Sequence, residues 1–223
     1  MAPERRVNAA AARGVVRCAM PRLACPEEAH ATLHVVQRGR ARAVCFSCAI
    51  DRAAYLQALR ECAESEQCAV HAYALMGNHV HLLVTSAHAA GAARLMPAIA
   101  AGYACHLATA YGHEDSVWEE AYDASPVRAR RHLIACMRYI EENPVRAGLA
   151  AQPGAYPWSS YRANALGEDN SLLTPHPHYY SLGRSQEERR AAYAALFARA
   201  AEVITSVSRR GSGSLSPRAR SRS

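Results

Sequence analysis

The sequence predicts an α+β fold in which helices pack on an antiparallel sheet, and three observations lead there. Periodic segments come in the order strand, helix, strand, strand, helix, helix, not the strict alternation that builds a parallel sheet. The second and third strand segments meet across Met76-Gly77-Asn78, a spacing that suits an antiparallel pair. At 223 residues the chain can bury one good core, and no run of 18 apolar residues indicates a membrane span.

Each element has its own signal. Residues 1–22 form a basic arm rather than a secretory signal, since they lack an apolar stretch, so a cytoplasmic location is expected. Thr32–Gln37 reads as the first strand and Arg38–Arg42, around Gly39, as a turn. Asp51 is expected to N-cap a helix running to about Ser65, with Tyr55, Leu59 and Cys62 on one stripe. Cys68–Tyr73 and Asn78–Thr85 are the second and third strands. Ala92–Ala110 follows as a helix, with Leu95, Ile99, Tyr103 and His106 in register. Residues 112–128 read as irregular, with Trp118 and Tyr122 as ordered points. The next helix is expected from Pro126 to Glu142, because the residue before Pro144 disfavours helical backbone. Gly148 and Pro153 punctuate a loop into Pro157-Trp158-Ser159-Ser160-Tyr161. A last amphipathic helix, Ser185–Ala201, places Tyr193, Leu196 and Phe197 on its apolar side. The organisation expected is a main domain over 23–165, a C-terminal extension over 166–205 and a disordered basic tail over 206–223.

Charge is unevenly distributed. All 26 basic residues are arginine, five of them in residues 1–22 and five in 206–223, leaving 16 against 18 acids in between. Basic arms suit polyanions, with guanidinium forks matching phosphate, although a solvated tail is an equal reading for 206–223, where Gly211 to Ser214 imply flexibility. The eight cysteines show no disulfide-framework spacing, and Cys45-x-x-Cys48 has no second pair to complete a zinc ribbon. Reduced, packed thiols are expected.

The stretch YALMGNHVHLLVT carries the chemistry. As a strand it points His79, His81 and Leu83 to one face and Val80, Leu82 and Val84 to the other. The two histidine Cβ atoms then lie roughly 6 to 7 Å apart, a span one metal ion can bridge. Taken alone, the pair is either polar decoration or half a site, and the apolar face opposite implies burial on one side only. Tyr139 and Asn143 share a helix face. Spacing alone makes Tyr139 a core residue beside Leu133 and Cys136, and Asn143 a C-cap before the proline.

YALMGNHVHLLV, VWEEAYDASPV, RYIEENPVRAGL and PWSSYRANALG, in this order, resemble the single-tyrosine HUH transposases, in particular the REP-associated tyrosine transposase group. The resemblance covers residues 30–167, and LLTPHPHYYSLG with the following helix resembles the C-terminal extension of such proteins. It implies a ferredoxin-like antiparallel sheet. It also implies that His79 and His81 hold a divalent metal, Mg or Mn, with Asn143 as third ligand, and that Tyr139 is the nucleophile. The implied reaction is nicking and rejoining of single-stranded DNA beside hairpins through a 5′-phosphotyrosine link, by a monomer or homodimer. Arg5, Arg6, Arg13, Arg138, Arg146 and the tail arginines are then expected on phosphates, with Trp118, Tyr122 and Trp158 either stacking bases or, as readily, packed in the core. Two departures stand out: Gly77 replaces the usual proline, and Glu119-Glu120-Ala121-Tyr122-Asp123 replaces a segment that commonly carries glycine and basic residues. The acids there oppose DNA and leave room for an alternative, a non-catalytic protein that binds structured DNA.

Overall fold

Alternating side chains decide the architecture. In the computed structural model, which describes residues 28–113 and 115–211 with side chains through 198, four strands form one sheet. They are β1 (Thr32–Arg38), β2 (Cys68–Leu75), β3 (His79–Ser86) and β4 (Asp123–Pro126), in the order β2-β3-β1-β4, and every neighbouring pair is antiparallel. Helix α1 (Ala49–Ser65) joins β1 to β2, and α2 (Gly91–Tyr111) joins β3 to β4. This is the expected ferredoxin-like order. Then come α3 (Arg130–Arg146), the one-turn α4 (Pro177–Tyr180) and α5 (Gln186–Gly211).

Leu33, Val35, Val80, Leu82 and Val84 face α1 and α2, where they meet Tyr55, Leu59, Leu95, Ile99 and Tyr103. Ala72, Ala74 and Leu83 face the other way, onto Leu133, Cys136, Met137 and Ile140 of α3, with Tyr193 and Phe197 of α5 in the same cluster. Both faces of the sheet are therefore covered. The expectation that only the face opposite the histidines is buried is corrected: α3 lies over the histidine face, and His81 is only 5% exposed.

Five local expectations also change. Asp51 is the third residue of α1, not its cap; Cys48 is the cap, and Asp51 Oδ2 reaches back to accept from the Ser47 and Cys48 amides at 2.8 and 3.1 Å. Its other oxygen accepts from His106 Nε2 at 2.9 Å and from the Tyr111 hydroxyl at 3.0 Å, tying the start of α1 to the end of α2. Residues 123–126, expected to be irregular, form β4. Asp-Ala-Ser-Pro has little strand propensity, so pairing with β1 supplies what the local sequence lacks, and Pro126 sits at the end of an edge strand where a missing donor is tolerated.

Helix α3 starts later and ends later than expected. Pro144 lies inside it, in its last turn, where its missing amide forgoes a single helical bond, the one to Ile140 O. The stop signal is Gly148 at φ +71°. Leu149 N donates to Pro144 O at 2.8 Å and Gly148 N to Val145 O at 3.0 Å, the bond pair of a Schellman motif. Asn143 is thus a helix-interior residue, not a C-cap. Helix α5 opens on a Ser185/Glu188 capping box and runs to Gly211, ten residues past the expected Ala201. The six described cysteines, Cys45 and Cys48 among them, are free thiols, and no helix among the described residues is long and apolar enough to cross a membrane.

Candidate active site

Strand β3 carries His79 and His81 on the face covered by α3, with ring centroids 5.0 Å apart and planes at 80°. The register sets Val36 opposite His81 and Arg38 opposite His79. That same face of β1 carries His34, whose Nε2 lies 3.1 Å from His81 Nδ1, with the rings stacked at 5.3 Å and 17°. Burial first, then the neighbouring His34, His79 and Arg38, pushes the His81 pKa down to about 3. Burial, followed by Arg38, also lowers His79, and burial, followed by His132, lowers His34. The cluster is therefore neutral near physiological pH, the state in which imidazole can ligate a metal.

The second half of the site comes from α3. Its buried stripe is Leu133, Cys136, Met137, Ile140 and Glu141. Tyr139 falls beside that stripe and remains 40% exposed, so the core reading that spacing suggested does not hold. Its ring meets His81 edge-on at 5.8 Å and His34 edge-on at 5.9 Å, and the Arg146 guanidinium lies 5.3 Å from its centroid. Asn143, one turn along, donates from Nδ2 to Tyr139 O at 2.6 Å. The fold thus brings together residues 34, 79, 81, 139, 143 and 146 from three separate elements.

The donor chemistry suits a divalent metal in part. His79 Nδ1 lies 2.8 Å from Asn78 Oδ1, and an amide oxygen only accepts, so Nδ1 carries the proton and Nε2 keeps its lone pair. Two neutral imidazoles fit such an ion, and their fixed second nitrogens are the usual device for orienting a ligand. Among the described residues no group of three or more His, Cys, Asp or Glu side chains could hold a metal. Asn143 Nδ2 is engaged by Tyr139 O, and Oδ1 is the atom its amide would offer an ion.

The sequence profile of the family described as "Transposase IS200 like" matches residues 28–143, a stretch holding β1 through Asn143 and therefore every residue of this cluster except Arg146. The chain belongs to the IS200-like transposase family. It is accordingly a DNA-processing enzyme of transposase type. No curated protein matches its sequence. Among solved structures, this transposase is similar to a REP-associated tyrosine transposase bound to a REP hairpin, at 14% identity and a TM-score of 0.54, covering 70% of this chain and 98% of that one. At such low identity the likeness speaks for the fold. A candidate transposase from Deinococcus radiodurans R1 also aligns, at 18% identity and a TM-score of 0.38 over 55% of this chain and 97% of that one.

The transposase does not offer all the DNA-contact residues the sequence suggested. Trp118 and Tyr122 are 1% and 3% exposed. Trp118 packs against Phe46, Tyr55 and Tyr103 with centroids 5.6 to 6.0 Å apart, and Tyr122 belongs to the same core cluster, so neither offers a ring face to a base. Trp158 is half-buried, with the Arg52 guanidinium 5.9 Å from its ring. Arg138 pairs with Glu142 at 3.6 Å and donates to Leu196 O at 3.4 Å. Along with Arg130 and Arg131 it lines a cavity of about 410 Å³ floored by Ile134, Ala135, Leu182 and Leu196. Arg5, Arg6, Arg13 and the side chains of the tail arginines lie outside the described residues. Of the acids over 119–123, Asp123 pairs with Arg38 at 2.5 Å across β1 and β4.

Two side chains of consequence were not singled out from the sequence. His34 was readable only as one histidine in a strand; alternation puts it with Val36 and Arg38, but the β1–β3 register was needed to set it beside His81. Glu141 is 0% exposed and accepts from Ser160, Asn164 and Tyr193 at 2.5, 2.8 and 2.8 Å. Its place two residues after Tyr139 on a helix was visible, while its partners, all in the C-terminal third, were not.

Proposed function

We propose that this transposase nicks and rejoins single-stranded DNA beside a hairpin, with Tyr139 as nucleophile. The observation that carries the reading is the convergence of Tyr139, on α3, with His79 and His81, on β3, at an exposed edge of an otherwise buried helix-sheet contact. The Tyr139 hydroxyl attacks a backbone phosphorus; its Oη–P bond forms as the P–O3′ bond breaks. The products are a 5′-phosphotyrosine and a 3′-hydroxyl, and the proton leaving the phenol is matched by the one the 3′ oxygen gains. The ester bond energy stays in the covalent link, so another 3′-hydroxyl can reverse the step and rejoin a strand.

A phenol hydroxyl is a weak nucleophile and needs help at the phosphate. His79, His81 and Asn143 would hold a divalent metal, Mg or Mn, which supplies Lewis-acid polarisation of the phosphoryl oxygen. Arg146, stacked on Tyr139, holds the ring in place and sets positive charge beside the incoming phosphate. A hairpin partner is supported by the solved relative, which was captured on one.

The test uses the purified full chain with labelled hairpin-bearing single-stranded DNA and Mn. A covalent protein-DNA adduct on a denaturing gel is expected, lost in Tyr139→Phe. No adduct across such substrates, or a Tyr139→Phe protein that still forms one, would sink the reading. A second reading, hairpin binding without cleavage, is favoured by the acids at 119 and 120, of which Glu120 is exposed. It predicts tight hairpin retention that survives both chelation and Tyr139→Phe, with no product formed.

A further inference from the structure

We propose that His34 is a positioning residue that accepts a hydrogen bond from His81 Nδ1–H and so presents His81 Nε2 as a metal-ligating lone pair. The proposal rests on the reading of His79 and His81 as a metal pair and assigns the residue that prepares the second of them.

Two tautomers of the His34–His81 pair are open. His34 Nε2 and His81 Nδ1 lie 3.1 Å apart, so one of the two carries the proton between them. If His34 donates, His81 Nδ1 spends its lone pair on that bond and Nε2 carries the proton, which leaves His81 no nitrogen for a ligand. If His81 donates, its Nε2 lone pair is free. The neighbouring histidine shows which arrangement the strand is built for, because Asn78 Oδ1 can only accept and thereby fixes His79 with Nδ1 protonated and Nε2 free. His34 then does for His81, from across the β1–β3 ladder, what Asn78 does for His79 from the preceding residue. Both acceptors leave the matching nitrogen open.

Geometry adds a second role for the same side chain. His34 stacks on His81 within 17° of parallel and meets the Tyr139 ring edge-on at 5.9 Å. It is the one side chain of β1 in ring contact with both halves of the site. A bond from a ligand's second nitrogen to a fixed acceptor sets ring orientation, and its loss typically weakens metal binding 10- to 100-fold.

The experiment reads metal binding and the tautomer directly, without DNA. Nitrogen-15 NMR of the histidines in the metal-free wild type is expected to show His81 protonated on Nδ1. Calorimetric titration with Co(II) is expected to give an affinity reduced about 10- to 100-fold in His34→Leu and restored to within a few-fold in His34→Gln, whose carbonyl oxygen reaches the acceptor position. The NMR spectra also report whether each variant is folded, and the wild-type tautomer needs no variant at all. A wild type with His81 protonated on Nε2, a His34→Leu protein of undiminished affinity, or a His34→Gln protein as weak as His34→Leu overturns the assignment. Failure of the nicking reading looks different: Co(II) binding depends on His34 as stated, yet no Tyr139 adduct forms. A wild type that binds no Co(II) overturns both.

Discussion

Glu141 gives the sharpest stability prediction. It sits on the buried face of α3, two residues from Tyr139, and its carboxylate gathers Ser160, Asn164 and Tyr193 from the C-terminal third of the chain. Burial raises its pKa from 4.5 to about 7, outweighing the three hydrogen bonds that pull the other way. Because the folded value lies above the unfolded one, its stabilising contribution is complete below pH 4.5 and is lost as the pH rises through about 7. At about 1.4 kcal/mol per pH unit, the loss amounts to roughly 3 kcal/mol. Glu141→Gln keeps an oxygen for Ser160 and Asn164 and offers an amide to the Tyr193 oxygen, with nothing to ionise. Urea unfolding of both proteins from about pH 4.5 to about pH 8 should therefore give a stability difference that moves by roughly 3 kcal/mol in favour of the glutamine variant. Parallel curves across that range would refute the reasoning. Glu141→Ala, which removes an acceptor shared by three buried donors, should cost about 3 to 5 kcal/mol at about pH 4.5, less as the pH rises and wild type loses its own contribution, and should loosen the helix that carries Tyr139.

Three further outcomes are expected. Gly148→Ala should destabilise by about 1 kcal/mol in thermal unfolding, with Gly148→Asn milder, since the residue ends α3 at φ +71° with open space around it and the cost is conformational alone. Trp118→Ala should cost about 3 to 5 kcal/mol by the same assay while the folded protein keeps its hairpin affinity; a folded variant that loses hairpin binding would restore the base-stacking role. Arg146→Ala should change stability by no more than about 1 kcal/mol, because its contact with Tyr139 is at the surface, but should lower the yield of covalent adduct.

What was legible in the sequence is what depends on local periodicity. Alternation over 79–84 assigned His79 and His81 to one face of a strand, and helical spacing put Tyr139 and Asn143 together, because each rule spans only a few residues of regular backbone. Element order pointed to an antiparallel α+β sheet, and the resemblance supplied its ferredoxin-like form. Local signals misled where a distant partner outbid them. Residues 123–126 are a strand only because β1 offers them a ladder, and Pro144 looked like a helix stop until the Gly148 turn took that task three residues of helix later. Trp118 fits base stacking and core packing equally in the sequence, because nothing local reveals that Phe46, Tyr55 and Tyr103 close around it. The sequence by itself determined the metal-pair candidate and its tyrosine. Tertiary structure alone decided that α3 covers the histidine face, that His34 stands 47 positions before the ring it contacts, and that Glu141 anchors the helix from beneath. The reason is the same in each case: strand register and helix docking are set by pairing and burial between segments far apart in the chain, and no window of neighbouring residues contains them.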